Sequence, residues 1–196
     1  KFQHNGRPFN DGNLTGLIKQ SSNGKTYGSN KNETGQYGTG FLSTHVYGKE
    51  ILINASVHTD TSKIKFLNGF SIDRNANSPD DLNKKIQIQD ELAEMICDGE
   101  GNELKEHLPF TSFEYIESDE SKKYISNMFD YIPEILPFIF AFNDKLNSVV
   151  VNNGDAETIF QRYEVEISQL SLLINDQPLT FSFLSDAEKN IKIILP

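Results

Sequence analysis

Cysteine is almost absent from this 196-residue chain, which contains only Cys97. One cysteine cannot form an internal disulfide, and no His/Cys cluster near it indicates a structural zinc site. A reducing, cytoplasmic environment is therefore the expected location. The chain opens on Lys1 and a strand-like KFQ without a methionine, so we expect that upstream sequence has been lost or removed.

Long hydrophobic runs are also lacking. The best apolar stretch, IPEILPFIFAF, is short and is interrupted by Pro133 and Pro137, whereas a membrane-spanning helix needs about 20 apolar residues. We therefore expect no membrane segment, although 37% of the residues are hydrophobic and can build a core. LPFIFAF is predicted to belong to that core, and any exposed part of it is a candidate homodimer surface.

Positive charge is scarce overall but is concentrated near the start of the chain. The net charge of −10 argues against binding to nucleic acid or to an anionic membrane. Residues 1–49 nevertheless contain six basic and two acidic side chains, a net +4, whereas the remainder contains 12 basic and 26 acidic ones, a net −14. The basic segment suits an anion site, but a chance run of solvated lysines gives the same charge.

The basic segment contains a glycine-rich motif, GQYGTGF, at residues 35–41. Its spacing is the reverse of the dinucleotide and kinase fingerprints, and Phe41 and Leu42 stand where a Walker A loop needs Lys and Ser/Thr. Glycines ahead of a helix let a bulky anion come close to the backbone. Mobile surface turns have the same composition. The motif alone therefore leaves two interpretations open, a phosphate loop and a surface turn.

The pattern of the first half predicts strands, helices and one long loop. KFQ is strand-like, Asn10 or Asp11 caps a helix over LTGLIKQ, and FLSTHVYG forms a short helix. Between these helices, SSNGKTYGSNKNETGQ has no apolar periodicity, so we expect a mobile lid whose residues 22–33 are poorly ordered without ligand. ILINASVH and KIKFLNGFSID are then predicted to be strands joined by HTDTS.

A long helix is predicted over DDLNKKIQIQDELAEMI. Its apolar face is assigned to Leu82, Ile86, Leu92 and Met95, which lie roughly in line along an amphipathic helix. A turn at DGEGN follows it.

The remaining sequence predicts one more helix and several strands. FTSFEYIE is a strand, and the next helix begins at Ser118 or Ser121 and ends at Pro133 or Pro137. NSVVVNN, RYEVEISQLSLLI, PLTFSFLSD and NIKIILP are each predicted to be one strand. Hairpin-length connections outnumber crossover helices here, which favours a mixed, mostly antiparallel sheet.

The motifs taken together resemble the GHKL ATPases, which include gyrase B, MutL, sensor histidine kinases and the large ATP-dependent heat-shock chaperones. The resemblance is carried by HNGRPF, SSNGK and GQYGTGF, followed by a helix and two strands. Within this family, the sequence is most similar to the sacsin-like branch, whose first glycine motif reads HNGxPF. FTSFEY is similar to the family's later threonine motif, and ILPFIFAFNDKLNSVVV is similar to the segment that follows it. The resemblance therefore covers most of the chain.

The fold implied is an α/β (α+β) two-layer sandwich of the GHKL ATPase type. This fold has a mixed, mostly antiparallel sheet with helices on one face, and ATP binds beneath a mobile lid. The family's first helix is expected to be missing from this chain. Residues 1–152 are assigned to the ATP-binding domain. Residues 153–196 are assigned to a C-terminal β-rich extension or the start of a next domain.

The resemblance implies a set of nucleotide contacts. His4 stands where most of the family has an aspartate that accepts a hydrogen bond from the adenine amino group, a bond that a neutral imidazole nitrogen can also accept. Pro8 replaces the family's second glycine, and Thr111 matches the threonine that helps to hold the base. On its own, HNGRPF is also compatible with a plain type I turn. The full set is His4, Asn5, Gly6, Gly35, Gln36, Tyr37, Gly38, Thr39, Gly40, Phe41 and Thr111.

Lys19 and Lys25 are candidate phosphate contacts of the closed lid, with solvated surface lysines as the alternative. The family's catalytic Glu and Mg²⁺-binding Asn lie on a helix ahead of HNG, so no catalytic residue or metal ligand is assigned in this chain. The implied ligand is ATP, with Mg²⁺ in the complete domain.

Two functions follow from these assignments. One is an ATP-binding module whose lid drives conformational switching of attached domains. The other is a noncatalytic interaction module that keeps the fold. A homodimer and an attached domain or client protein are the expected protein partners, without nucleic acid or membrane.

Overall fold

The computed structural model describes residues 1–19, 39–143, 145–166, 169–186 and 191–195. The chain divides into two compact units, Lys1–Lys122 and Lys123–Pro196, and the division falls within a helix. The lid predicted over residues 22–33 lies outside the described residues.

The first unit is built on a mixed sheet. Its strands lie in the order β1-β6-β3-β4-β5, with every neighbouring pair antiparallel, and β2 adds a parallel pairing to β3. The mostly antiparallel mixed sheet predicted from the sequence is therefore confirmed. The elements in chain order are β1 (Phe2–His4), β2 (Phe9–Asn10), α1 (Asp11–Lys19), α2 (Thr39–Ser43), a 3-10 turn (Thr44–Val46), β3 (Glu50–His58), β4 (Ile64–Asp73), α3 (Pro79–Asp98), β5 (Glu103–Leu104) and β6 (Thr111–Ile116).

The core of this unit lies between one face of the sheet and helices α1 and α3. Alternate residues of β3 supply the sheet side, and Ile51, Ile53, Ala55 and Val57 are all fully buried. They form one apolar cluster with buried residues of both helices, which also contact each other. Because successive strand residues point to opposite faces, the two helices share one side of the sheet. The sheet and helices α1 and α3 thus form two layers.

The buried face of α3 differs from the predicted one. Leu92 and Met95 are 46% and 70% exposed, whereas Gln89, Ala93 and Cys97 are buried. The assignment of Leu92 and Met95 to the apolar face is therefore wrong. Residues 89, 93 and 97 are each four apart and lie on one helix face, and the polar Gln89 belongs there because its amide has two partners outside the helix.

Helices α1 and α3 each end against a cation that lies in β4 or directly after it. The Arg74 guanidinium, which follows β4, donates to the carbonyl of Ile18 near the end of α1 and to Gln89 Oε1 at 3.0 Å. The Lys65 ammonium donates to the carbonyls of Gly99 at 2.6 Å and Gly101 at 2.9 Å, just beyond α3. The last carbonyls of a helix lack intrahelical partners and carry partial negative charge, so both cations stabilise helix ends.

Helix α4 (Asp119–Phe142) continues through both prolines. Its start is confirmed, since the Ser121 amide donates to Ser118 Oγ at 3.2 Å and the Ser118 amide donates to Ser121 Oγ at 2.9 Å. The predicted end at Pro133 or Pro137 is wrong. Each proline removes one backbone hydrogen bond, but the helix beyond them buries its apolar side against a sheet.

The second unit contains that sheet, a five-stranded antiparallel meander in the order β11-β10-β9-β8-β7. Its core contains Leu136 and Phe140 of α4 together with Phe160 and Leu172 of the sheet. The strands are β7 (Ser148–Asn152), β8 (Glu157–Glu166), β9 (Gln169–Ile174), β10 (Gln177–Asp186) and β11 (Ile191–Leu195). The sequence boundary assigned after residue 152 thus falls between β7 and β8, which pair as neighbours.

The segment RYEVEISQLSLLI forms two strands, although the sequence predicts one. Glu166 of β8 and Gln169 of β9 are paired antiparallel, so the chain reverses direction between them. Residues 167 and 168 are Ile and Ser, and a single serine is a weak turn signal beside Gly, Pro or Asn.

Among the helices of the described residues, none is both long enough and apolar enough to cross a membrane.

The thiol of Cys97 is expected to be unreactive in the folded protein. Burial in the α3 face, with the Asp11 carboxylate nearby, raises its pKa to about 12. Because the thiolate is the reactive form, a disulfide reagent at neutral pH should modify the folded chain roughly 100 times more slowly than the chain in urea. Absorbance of the released thiol measures both rates. Equal rates would contradict the burial of Cys97.

Candidate functional site

The two residues assigned to the base lie directly opposite each other on neighbouring strands. His4 ends β1, Thr111 begins β6, and the two are paired in antiparallel register. Side chains at directly opposed positions lie on the same face of a sheet, with Cβ atoms about 5 Å apart. On its other edge β6 pairs with β3, where Phe113 lies opposite Ile53. Ile53 belongs to the core beneath the helices, and Phe113 lies on the same face of β6 as Thr111. His4 and Thr111 therefore lie on the helix-bearing face.

Phe113 is the centre of an aromatic cluster on this face. Its ring centroid lies 5.9 Å from that of His4, 6.2 Å from that of Phe9 and 6.1 Å from that of Phe41. His4 and Phe9 are the first and last residues of HNGRPF, and Phe41 is the last residue of GQYGTGF. One buried ring thus joins parts of all three motifs, the HNG motif, the end of the glycine motif and the threonine strand.

The imidazole of His4 is engaged within its own turn. The backbone amide of Gly6 donates to His4 Nδ1 at 3.1 Å. A Cβ on Gly6 would lie 3.0 Å from the same nitrogen, which is closer than most Cβ contacts, so glycine suits this position. Burial lowers the pKa of His4 below its usual value, which favours the neutral ring at pH 7.

Two polar groups of this face are not used by the fold. Within the described part of the chain, neither His4 Nε2 nor the Thr111 hydroxyl has a hydrogen-bond partner. Thr111 as a residue is nevertheless buried, and His4 is half-buried. Neither atom is among the fully buried side-chain atoms that lack a partner, so both are open to solvent and to a ligand. A ligand with polar atoms along one edge would find two partners here, on opposed strands.

Only the end of the glycine motif lies within the described residues. Gly40 is the second residue of α2 and is exposed, its φ is not positive, and a Cβ built on it meets nothing within 4 Å. Neither backbone strain nor packing therefore requires a glycine at position 40. Gly35, Gln36, Tyr37 and Gly38 lie outside the described residues, as does Lys25.

The other predicted contacts are placed on the surface of the first unit. Asn5 is exposed in the link between β1 and β2. The Lys19 ammonium, at the end of α1, forms an ion pair with Asp90 of α3 at 2.5 Å. A phosphate contact from Lys19 requires this ion pair to open.

His45 packs edge-on against Phe41, with ring centroids 5.3 Å apart, and burial lowers its pKa.

Phe113 is a residue of this face that the motifs do not name, although the alternation of its strand places it there. In the strand FTSFEYIE, alternation places Phe113 on the same face as Thr111. A period-two reading of that strand would have named Phe113 beside the threonine. The hydrogen bond of His4 to Gly6 has no comparable sequence signal, because ring orientation is not encoded in residue spacing.

A small cavity lies elsewhere, in the second unit. It has a volume of about 60 Å³ and is lined by side chains that include Phe129, Pro133, Val151 and Phe160. Ligand pockets for cofactor-sized molecules are roughly 300–1,000 Å³, so this cavity is too small for a nucleotide.

Among the described residues, no three His, Cys, Asp or Glu side chains are grouped so as to hold a metal ion.

Comparison with protein-family models, with curated proteins and with solved structures finds no match to this chain. The function proposed below therefore depends on the residues and their geometry.

Proposed function

We propose that this chain is a nucleotide-binding module of the GHKL ATPase type, in which nucleotide bound beneath the lid changes the arrangement of attached domains. The observation that carries the proposal is the opposed pair of His4 and Thr111 on β1 and β6. The family pattern needs both residues at the base, and they come from motifs far apart in the sequence. The contact of Phe41 with Phe113 supports it further, because it brings the end of the glycine motif to the same face.

The chemistry of binding divides between the two motifs. His4 and Thr111 offer a ring nitrogen and a hydroxyl to polar atoms of a base, and the half-buried surroundings strengthen such hydrogen bonds. The glycine motif offers backbone amides to phosphate oxygens. The family pattern implies ATP, and the ligand proposed from the residues of this site is a nucleoside triphosphate. The proposal concerns nucleotide binding and the switching that binding drives.

Replacement of Gly40 by alanine tests the phosphate loop separately from the fold. The added methyl group meets nothing within 4 Å in the protein, and alanine favours a helix over glycine by about 1 kcal/mol, so stability should be unchanged or higher. If the backbone here approaches phosphate, the methyl group occupies ligand space, and the affinity for a nucleoside triphosphate should fall at least roughly tenfold, which corresponds to about 1.4 kcal/mol. Titration calorimetry and thermal unfolding measure the two effects.

Gly12→Ala is the matched control for this experiment. Gly12 lies in α1, and a Cβ there makes only an ordinary contact of 3.5 Å with Asn10 Oδ1. This variant should bind triphosphate like the wild type. Equal affinities of Gly40→Ala and Gly12→Ala for triphosphate would remove the glycine motif from the proposed site.

A noncatalytic interaction module is the second candidate, and one observation favours it. Along α4, Tyr131, Ile135, Phe138 and Phe142 are all exposed, and their spacing of four, three and four residues puts them on one helix face. Within LPFIFAF, Leu136, Phe140 and Ala141 are buried as predicted, whereas Phe138, Ile139 and Phe142 are exposed. A homodimer through this face stays a proposal. Concentration-dependent sedimentation together with no detectable heat on titration with ATP or GTP would favour this second function.

A further inference from the structure

We infer that the base recognised at the His4 position is a 6-oxopurine, such as guanine or hypoxanthine, and not adenine, because His4 presents a hydrogen-bond donor to the ligand. This inference rests on the proposed nucleotide site and specifies its ligand class. It reverses the role that the family resemblance gives to this position, where an acceptor meets the adenine amino group.

The Gly6 amide determines which nitrogen of the His4 ring carries the proton. A backbone N–H can only donate, so the 3.1 Å contact from Gly6 N makes His4 Nδ1 the acceptor. A neutral imidazole has one N–H and one acceptor nitrogen. The ring proton must then be on Nε2. If the ring is charged, Nε2 also carries a proton. In the neutral ring bonded to Gly6 and in the charged ring alike, Nε2 is a donor.

The neighbouring groups do not offset this polarity. The rings of Phe2 and Phe113 lie beside it, with centroids 5.8 Å and 5.9 Å from that of His4 and 6.0 Å from each other, and neither provides a hydrogen-bond acceptor. The Thr111 hydroxyl can donate or accept, so it serves either base. His4 is therefore the group that distinguishes a 6-oxopurine from adenine.

Position 6 of the purine decides which base fits. Adenine carries an amino group there, and two donors facing each other leave both without a partner. Guanine and hypoxanthine carry a carbonyl oxygen, which accepts from Nε2–H. Inverting the His4 tautomer to suit adenine would break the hydrogen bond from Gly6, leaving that amide without its partner in the turn.

ATP and ITP are the probes that isolate this contact, because they differ only at position 6 and in the proton on N1. Calorimetric titration of the full chain should show ITP binding roughly five- to tenfold more tightly than ATP. His4→Asp replaces the donor by an acceptor, and its preference should reverse toward ATP. His107→Asp removes the same ring and adds the same charge at an exposed residue whose ring contacts His58, and it should keep the wild-type preference.

Wild-type binding of ATP as tight as or tighter than that of ITP would overturn the inference and leave nucleotide binding standing. No binding of either triphosphate to the wild type would refute the proposed function and the inference with it. A second measurement needs no variant and no ligand. A two-dimensional ¹H–¹⁵N correlation spectrum of the His4 ring at pH 7 should show the Nε2–H tautomer, and an Nδ1–H tautomer would also overturn the inference.

Discussion

Replacement of Lys65 by alanine should lower the free energy of unfolding by about 3 kcal/mol. Lys65 lies in β4 opposite Val57 and is only 1% exposed. Its ammonium donates to the carbonyls of Gly99 and Gly101 at the end of α3. The substitution leaves a cavity where the buried stem was and removes the donor from two carbonyls, and each loss destabilises the fold. Urea unfolding followed by circular dichroism measures the change.

Lys63→Ala is the control, because it deletes the same atoms from the same strand region. The Lys63 and Lys65 ammonium groups both contact Glu103 Oε1, at 2.6 Å and 3.4 Å. Lys63 is 51% exposed, however, and exposed ion pairs contribute little, so its loss should leave the unfolding free energy nearly unchanged. Lys65→Met, which keeps an apolar stem, should fall between the two. Equal effects of Lys63→Ala and Lys65→Ala would contradict the role given to burial and helix capping.

The strands and the first helix could be predicted because their signals are local. β3 alternates Ile51, Ile53, Ala55 and Val57 on the buried side, and HTDTS supplies turn residues before β4. Period two and turn chemistry depend only on nearby residues. The mixed, mostly antiparallel class follows from the same signals, whereas the GHKL type of the fold stays a proposal.

The buried face of α3 depends on groups that are distant in sequence. Gln89 is buried because its amide donates to the carbonyl of Asp73 and accepts from Arg74. A polar residue with such partners can occupy a core position, while Leu92 is left partly exposed. No local pattern distinguishes this arrangement from an apolar stripe through Leu92 and Met95.

The end of α4 could not be predicted for the same reason, whereas α3 ends where the sequence predicts the turn DGEGN. The last turns of α3 and α4 contain no basic residue, which the usual C-terminal signal would require. Lys65 supplies the charge at α3. At α4, Arg162 of β8 donates to the carbonyls of Phe140 and Asn143. These cations come from strands, and a helix that continues past Pro133 and Pro137 can be stabilised in this way.

The sequence names residues of the candidate site but not the polarity of their side chains. The motifs name His4 and Thr111, and the register of β1 against β6 makes them opposed neighbours. Whether His4 donates or accepts depends on the orientation of its ring toward Gly6. That orientation is a three-dimensional property of the HNG turn, and the proposed change of base from adenine to a 6-oxopurine depends on it.

Replacement of Gly48 by alanine should lower the free energy of unfolding by about 3 kcal/mol, at the upper end of the usual cost of overpacking. Gly48 is buried just before β3. A Cβ there would lie 2.5 Å from the carbonyl oxygen of Ile116 and 3.2 Å from its amide nitrogen. These are backbone atoms of β6, which pairs with β3, so the clash cannot be relieved by turning a side chain.

The strain of Gly48→Ala should extend to the candidate site, because β6 carries Thr111 and Phe113 and pairs with β1. We therefore expect weaker triphosphate binding as well as lower stability, measured by calorimetry and by thermal unfolding. Gly12→Ala separates this effect from a general cost of replacing glycine. Gly12 lies in α1, where the added methyl group is tolerated and alanine favours the helix. A Gly48→Ala protein as stable as Gly12→Ala would show that β3 and β6 are not in close contact at Gly48.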